Sequence, residues 1–451
     1  MKKSLLSAFA LLSIAASAQS WNPQATNWPM SYGVDEISIV DANTAWITAY
    51  DGSGSQTYPK MISKTTNGGT TWTPKPISGP PSTTVVGDIA AVDGNTAYVV
   101  TAPTAGTAGN GVWKTTDGGS NWTKQNVYST SSFANLVYFW DANNGWTCGD
   151  PVGGKFEMFK TSDGGATWNT VSGAPAPSND IEYGLTGVKA VSGDHLWVGT
   201  TQGRILHSSD RGSTWTANFS PVLDFGSGDS TIGVPGSYGH MAFKDGSNGL
   251  LIAVDNDVIA SLYESTDGGE NWEILDTEGT WFFGDIAYVP GTANTYVSTG
   301  VNSDAEQGTG SAYTTDGGHT WTIIDNIPGV DGGQRGKVSF HDASTGWCGY
   351  FSDGENGAEG IFKFNGTLMA VSDATVKSNL KVYPNPASDV VNISSNKDIK
   401  AITVLDMSGK KVQSFQTTNK QINVSSLAKG TYILQVYYGN GAVENTKLIK
   451  K

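Results

Sequence analysis

The chain is 451 residues long and acidic, with a formal net charge of −14, and only 15% of its residues are charged. Glycine (57 residues) and tryptophan (15) are both abundant, a turn-rich, aromatic-packed β composition that excludes a disordered chain. Acidity lies in the body: Ser372–Lys451 holds 11 Lys against 5 Asp and Glu, so the excess negative charge precedes it. Such a body repels phosphate and anionic lipid, which argues against nucleic acid and membrane surfaces as partners. The length admits two domains, one of them large.

The first element is Met1-Lys2-Lys3, an apolar run from Leu5 to Ala16, and then Ala16-Ser17-Ala18. A charged start, an apolar stretch and a small-residue site make residues 1–18 a secretory signal peptide, with cleavage expected before Gln19. No later run is apolar over the length needed to cross a bilayer as a helix, so the expectation is a soluble protein outside the cytoplasm with no transmembrane segment.

From Glu36 onward a two-strand signal recurs, in which an apolar run meets a Gly, Asn or Asp turn and a second strand follows. The copies are Glu36–Trp46, Asp88–Tyr98, Leu136–Trp146, Gly187–Trp197, His240–Leu250, Asp285–Tyr296 and Lys337–Trp347. After each of the first six comes a Gly-rich loop, such as Thr101–Gly111 or Val301–Gly310, leading to a third strand. That strand ends in an octapeptide: TTNGGTTW (Thr65–Trp72), TTDGGSNW (Thr115–Trp122), TSDGGATW (Thr161–Trp168), SSDRGSTW (Ser208–Trp215), STDGGENW (Ser265–Trp272) or TTDGGHTW (Thr314–Trp321). Successive Trp residues are 50, 46, 47, 57 and 49 positions apart, the signature of a repeat architecture. An Asp side chain can accept backbone N–H groups two residues on, the glycines supply positive φ, and the Trp buries a large apolar area.

The pattern S/T-x-D-x-G-x-T/N-W resembles the Asp-box, or BNR, repeat. Asn67 departs from it in the first copy, where it can still close the turn, and Arg211 replaces a glycine in the fourth. The resemblance implies that Asn67, Asp117, Asp163, Asp210, Asp267 and Asp316 are structural, each fastening the hairpin between the third and fourth strands of a propeller blade, away from any active site. Four strands per unit and seven units predict an all-β, seven-bladed β-propeller over residues 19–371. The seventh unit ends at Gly360–Gly366 without a box. Trp21-Asn22-Pro23-Gln24, which resembles the Trp72–Lys75 strand after the first box, is expected to supply its outer strand; Thr367–Val371 is the competing candidate.

A linker over 372–378 leads to a second domain at 379–451. It opens with Val382-Tyr383-Pro384-Asn385-Pro386, turns at Asp406–Lys410, and ends with Leu427–Val436 and Lys447-Leu448-Ile449-Lys450-Lys451. Alternating apolar residues and short turns predict a small Ig-like β-sandwich. The order YPNP, D-x-x-G-K, L-x-x-G-x-Y and K-L-I-K-K closely resembles the type IX secretion C-terminal sorting domain of Bacteroidetes. That resemblance implies recognition by the type IX machinery and a place outside the cell, released or at the outer-membrane surface.

Any ligand is expected at the face opposite the boxes, where the inner strands begin. Glu36, Asp88, Asn135, Gly187, His240, Asp285 and Lys337 stand at those starts, with Glu182 and Arg335 in nearby loops and Tyr183, Trp281, Phe282, Phe283, Tyr238 and Phe133 as aromatic neighbours. Asn135, Glu182, Tyr183, His240, Trp281, Phe282, Arg335 and Lys337 are the candidate binding residues, since flat rings at a polar mouth suit sugars. Asp88, Asp285 and Glu36 are the candidate carboxylates for acid–base work on a glycosidic bond. Three Arg residues in all (Arg204, Arg211, Arg335) and no Arg-Ile-Pro segment argue against a sialidase. The favoured expectation is a non-catalytic, carbohydrate- or protein-binding module; the alternative is a glycoside hydrolase with carboxylates at the mouth. With no P-loop, dinucleotide fingerprint or HExxH motif, no cofactor and no metal are expected. Cys148 and Cys348 are expected to be two buried thiols, not a disulfide.

Overall fold

A computed structural model of the chain describes residues 19–451 except 30, 54, 56, 107, 126, 129–131, 227–236, 256–258, 302–308, 327–333, 351–359, 369–379, 396–398, 407–409, 417–419 and 439–442. The expected signal peptide over 1–18 and linker over 372–378 lie outside the described residues. All regular structure among those described is β-strand, and no helix is long and apolar enough to cross a membrane. The chain divides into two compact units, residues 1–370 and 371–451.

The first unit is built from repeated four-stranded antiparallel sheets. In the first sheet, Tyr32–Ile39 pairs with Ala45–Asp51, then Met61–Thr65, then Thr73–Pro76. Five more sheets repeat that order, opening with Thr84–Ala91, Ala134–Phe139, Gly184–Ser192, Tyr238–Phe243 and Asp285–Tyr288. A further sheet runs Val338–Asp342, Thr345–Gly349, Gly360–Asn365 and takes its fourth strand, Ser20–Ala25, from the start of the chain. The opening strands touch one another in sequence, and the last touches the first, so they form a closed cycle. Trp46, Tyr98, Trp146, Trp197 and Trp347, one on each of five second strands, are completely buried. Several reach across to the following sheet: Trp46 Nε1 donates to Asp93 O at 3.0 Å, Tyr98 OH to Gly164 O at 2.7 Å and Trp197 Nε1 to Gly268 O at 2.7 Å.

Each box closes its turn as its chemistry dictates. In the second, Asp117 Oδ1 accepts the N–H of Ser120 at 3.0 Å and of Asn121 at 2.9 Å, while Thr115 Oγ1 accepts the N–H of Gly119 at 3.0 Å. Gly118 and Gly119 take φ of 72° and 83°, a region open to glycine at little cost. Arg211 holds the same conformation at φ 56° without being glycine, and its guanidinium meets Asp194 at 2.6 Å. The Gly118 N–H docks on Asn95 O at 2.9 Å, and the other boxes do likewise on Asn43, Asn143, Asp194, Ser247 and Asn294. The boxes therefore share one face with the turns between first and second strands.

The N-terminal strand fills the place expected of it, with Trp21 opposite Phe364 and Gln24 opposite Ile361. Gln24 Oε1 accepts Trp72 Nε1 at 2.9 Å from the first sheet and Trp347 Nε1 at 3.2 Å from the last. Trp21 Nε1 donates to Ser311 Oγ at 2.8 Å on the sheet before that. The two cysteines are free and buried.

The second unit has a sheet of Lys381–Tyr383, Val390–Ser394 and Gln421–Asn423, and another of Lys411–Gln416, Ile399–Leu405, Gly430–Tyr438 and Val443–Lys450. Residues from both, including Val391, Ile393, Ile402, Val404, Leu434 and Leu448, share one apolar core.

Replacing Gln24 by Ala leaves two buried indole N–H groups without their acceptor, at a cost of about 1–3 kcal/mol each. The thermal midpoint of Gln24→Ala is expected to fall by several degrees, whereas Asn22→Ala, exposed on the same strand, leaves it unchanged; calorimetry of the two variants checks this.

Candidate functional site

At the face opposite the boxes, the opening strands do not run straight. Their pairing shifts register between Val34 and Ile37, between Val86 and Asp88, between Ala134 and Leu136, and between Gly184 and Lys189. A bulge of this kind re-aims a side chain that regular pleating would send elsewhere. Glu36 and Lys189 lie at such shifts, and together with Asp285 and Lys337 they reach the wall of one axial cavity of about 400 Å³. Further along the same strands that cavity is lined by Ile39, Phe139, Val191 and Phe340. Ser38, Tyr138, Ser339 and His341 stand among them, so the wall is mixed beyond a charged collar.

The collar charges are matched. Lys189 Nζ lies 2.6 Å from each carboxylate oxygen of Asp88, which also accepts the N–H of Ile89 at 2.8 Å and of Val137 at 2.9 Å. Lys337 Nζ sits 3.0 Å from Glu36 and donates to Gly187 O at 3.2 Å. Asp285 accepts the Val338 N–H at 2.8 Å and has His240 Nδ1 at 3.4 Å. Gly187 has φ 71°, and a Cβ there would fall 1.9 Å from Glu36 Oε1, so only glycine admits this carboxylate.

Burial drives the Glu36 carboxyl above its usual range against the pull of Lys337, and it pushes Asp35 up to about 6. For Lys337 burial acts the other way, yet Glu36 and Asp285 outweigh it and hold the ammonium above its ordinary range. Burial would likewise raise Asp285, but Lys337 and His240 bring it below the usual carboxylate range.

Between the third and fourth sheets lies a second cavity, of about 430 Å³, lined by Phe133, Asn135, Asp150, Tyr183 and Thr201 among others. Burial pushes Asp150 up to about 7, although its carboxyl accepts the Asn135 side chain and the Gly184 N–H; the Asn135 Nδ2 bond is 2.8 Å. The Tyr183 N–H donates to Thr201 Oγ1 at 2.9 Å.

The candidate binding residues thus separate into three groups. Lys337 and His240 join the collar, together with the candidate carboxylates Glu36, Asp88 and Asp285. Asn135 and Tyr183 belong to the second cavity. The others serve the framework. Phe282 is wholly buried in an apolar core, with Trp281 packed against it. Glu182 is buried against Arg204 at 2.7 Å and accepts Thr200 Oγ1 at 2.8 Å. Arg335 pairs with Asp325 at 2.6 Å and stacks 4.0 Å over the Phe362 ring. Two further residues, Lys189 and Asp150, line these cavities. Lys189 follows a register shift between Gly184 and Lys189, which local sequence did not reveal. Asp150, near the end of a second strand, carried no local signal.

Two expectations follow from the charges. Lys189→Met strands a buried carboxylate and should destabilise the protein by about 3–5 kcal/mol, with Asp88→Asn added to it restoring part of the loss in denaturant titrations. Asp150 retains in the folded state a proton that the unfolded chain releases near its ordinary value, so its contribution falls as pH rises from about 4 to about 7. The box carboxylates act in the opposite sense: hydrogen bonds from Asn121 and Thr167 hold Asp117 and Asp163 down to about 2, so their contribution is lost as pH drops towards that value. The thermal midpoint of Asp150→Asn should therefore decline less than the wild type's as pH rises from about 4 to about 7.

Comparison with known proteins matches two parts of the chain to families: residues 381–451 to the secretion system C-terminal sorting domain, and residues 128–220 to photosynthesis system II assembly factor YCF48. The probable oligoxyloglucan-reducing end-specific xyloglucanase of Neosartorya fischeri is 32% identical over 125 residues, 26% of this chain and 14% of that protein. Photosystem II assembly lipoprotein Ycf48 of a Synechococcus species is 28% identical over 142 residues, 32% of this chain and 36% of that protein. The chain spans well under half the length of either relative. The solved structure of YCF48 bound to D1 peptide overlays with a TM-score of 0.51 at 17% identity, covering 78% of this chain and 98% of that one, a likeness of fold. The first unit is thus similar to the Asp-box propellers of the assembly-factor and xyloglucanase-like type, and residues 381–451 match the type IX secretion C-terminal sorting domain, a signal for export from the cell.

Proposed function

We propose that the first unit is a seven-bladed propeller whose mouth face binds a glycan or a protein without chemical turnover, and that the sorting domain delivers it, released or attached, to the cell exterior. The closed cycle of opening strands supports the blade count, and the shared core of the two C-terminal sheets supports an Ig-like sandwich for the tail.

The observation that carries the non-catalytic reading is the state of the three candidate carboxylates. A general acid has to offer a proton to the leaving oxygen, and its partner carboxylate has to face the sugar. Asp88 is fully enclosed by an ammonium and two backbone N–H groups. Asp285 is engaged by Val338 and His240, and Glu36 by Lys337. Side-chain exposures of 0%, 9% and 10% for Asp88, Asp285 and Glu36 leave little surface for a substrate.

Incubating the secreted chain with a panel of plant and algal polysaccharides is expected to release no new reducing ends. Turnover that disappears in folded Asp88→Asn or Asp285→Asn would instead establish the glycoside hydrolase.

A further inference from the structure

We infer that the cavity between the third and fourth sheets is the ligand site of this binding face, and that it takes an uncharged oligosaccharide. The inference rests on the binding-module reading and gives it a place and a ligand class.

Size is the first argument. A volume of about 430 Å³ falls within the range of small-molecule pockets and is ample for sugar rings. The lining is the second. Phe133 and Tyr183 are partly exposed rings in its wall, and such rings pack against the C–H faces of pyranoses while leaving the hydroxyls free. The polar groups are the third. Asn135, itself buried, holds the Asp150 carboxyl by a 2.8 Å bond from its Nδ2 and so positions it at the cavity wall. Asp150, pushed up to about 7 by burial, is substantially protonated at neutral pH and can then donate as well as accept. Hydroxyl groups need both kinds of partner.

Charge selects among sugars. None of the described lining residues is Lys, Arg or His. A uronate or sialate carboxylate would therefore find no counter-ion among them. Neutral hexose or pentose chains meet no such penalty. The axial collar differs, because its charged groups already satisfy one another.

The wall is also fixed before any ligand arrives. Glu182, held by Arg204 and Thr200, anchors the loop that ends in Tyr183. Thr201 ties that loop at both edges: its Oγ1 donates to Ile181 O at 3.0 Å, and its N–H donates to Tyr183 O at 3.1 Å. A preordered wall loses little conformational freedom on binding.

Titration calorimetry of the full secreted chain tests this with neutral gluco-, xylogluco- and galacto-oligosaccharides beside oligogalacturonate. At least one neutral class should bind while oligogalacturonate does not. Phe133→Ala, Tyr183→Ala and Asp150→Ala should each weaken binding by about tenfold or more, with thermal midpoints confirming that the variants are folded and Asn22→Ala binding as the wild type does. Absence of binding by every neutral sugar, or tighter binding of oligogalacturonate, overturns the inference. So does neutral-sugar binding that survives folded Phe133→Ala and Tyr183→Ala but is lost in Lys337→Met, although that result keeps the binding-module reading and moves its site to the collar. Hydrolysis of a bound sugar overturns the module reading whatever the pocket variants show.

Discussion

Closure of the strand cycle is the constraint on which the rest depends. Every sheet must present the same wedge to its two neighbours, so every sheet needs an outer strand, and the last one has none of its own. The N-terminal segment supplies it, and Gln24 clamps the join by accepting indole N–H groups from the first and last sheets together. A ring closed in this way leaves the third strand of the last sheet paired on its outer side as in the other sheets. It also fixes an axis, and with it a polarity: turns and Asp boxes at one end, strand starts at the other.

The box is the device that makes the wedge repeatable. Its Asp and its Thr or Ser hold the backbone of a tight turn, and the same turn then docks on the first hairpin of its own sheet. The hydrogen bonds at the Asp oxygens account for the lowered pKa of these carboxyls, so a low affinity for protons there reflects local scaffolding and not a catalytic environment. Function is better sought where side chains are not already occupied by the fold.

At the opposite end the strand starts converge, and convergence has a price in electrostatics. Carboxylates crowded around an axis lose hydration, and Lys189 and Lys337 answer with ammonium groups from strands remote in sequence. Replacing such buried pairs by apolar packing is often neutral or stabilising elsewhere, so their presence fixes what the channel displays more than it holds the ring together. The neighbouring cavity differs in kind. Its carboxyl has amide partners and no cation, which leaves it with hydrogen-bonding capacity and little charge.

By itself the sequence determined the elements that local chemistry dictates: the box turns, whose Asp, Gly and Thr act within a few residues of one another; the alternation of the strands; the N-terminal Trp-Asn-Pro-Gln that could finish the incomplete sheet; and the motifs of the sorting domain. It also placed Glu36, Asp88 and Asp285 at one end of the inner strands. Tertiary structure alone decided what those residues do. Asp88 meets Lys189 across 101 positions, register shifts re-aim Glu36 and Lys189, and Phe282 and Arg335 turn inward to the core instead of outward to a ligand. Asp150 becomes a perturbed acid only because a neighbouring sheet covers it. The physical reason is range: turn geometry and pleating are set by adjacent peptide units, whereas burial, desolvation and ion pairing are set by whatever the closed ring brings alongside.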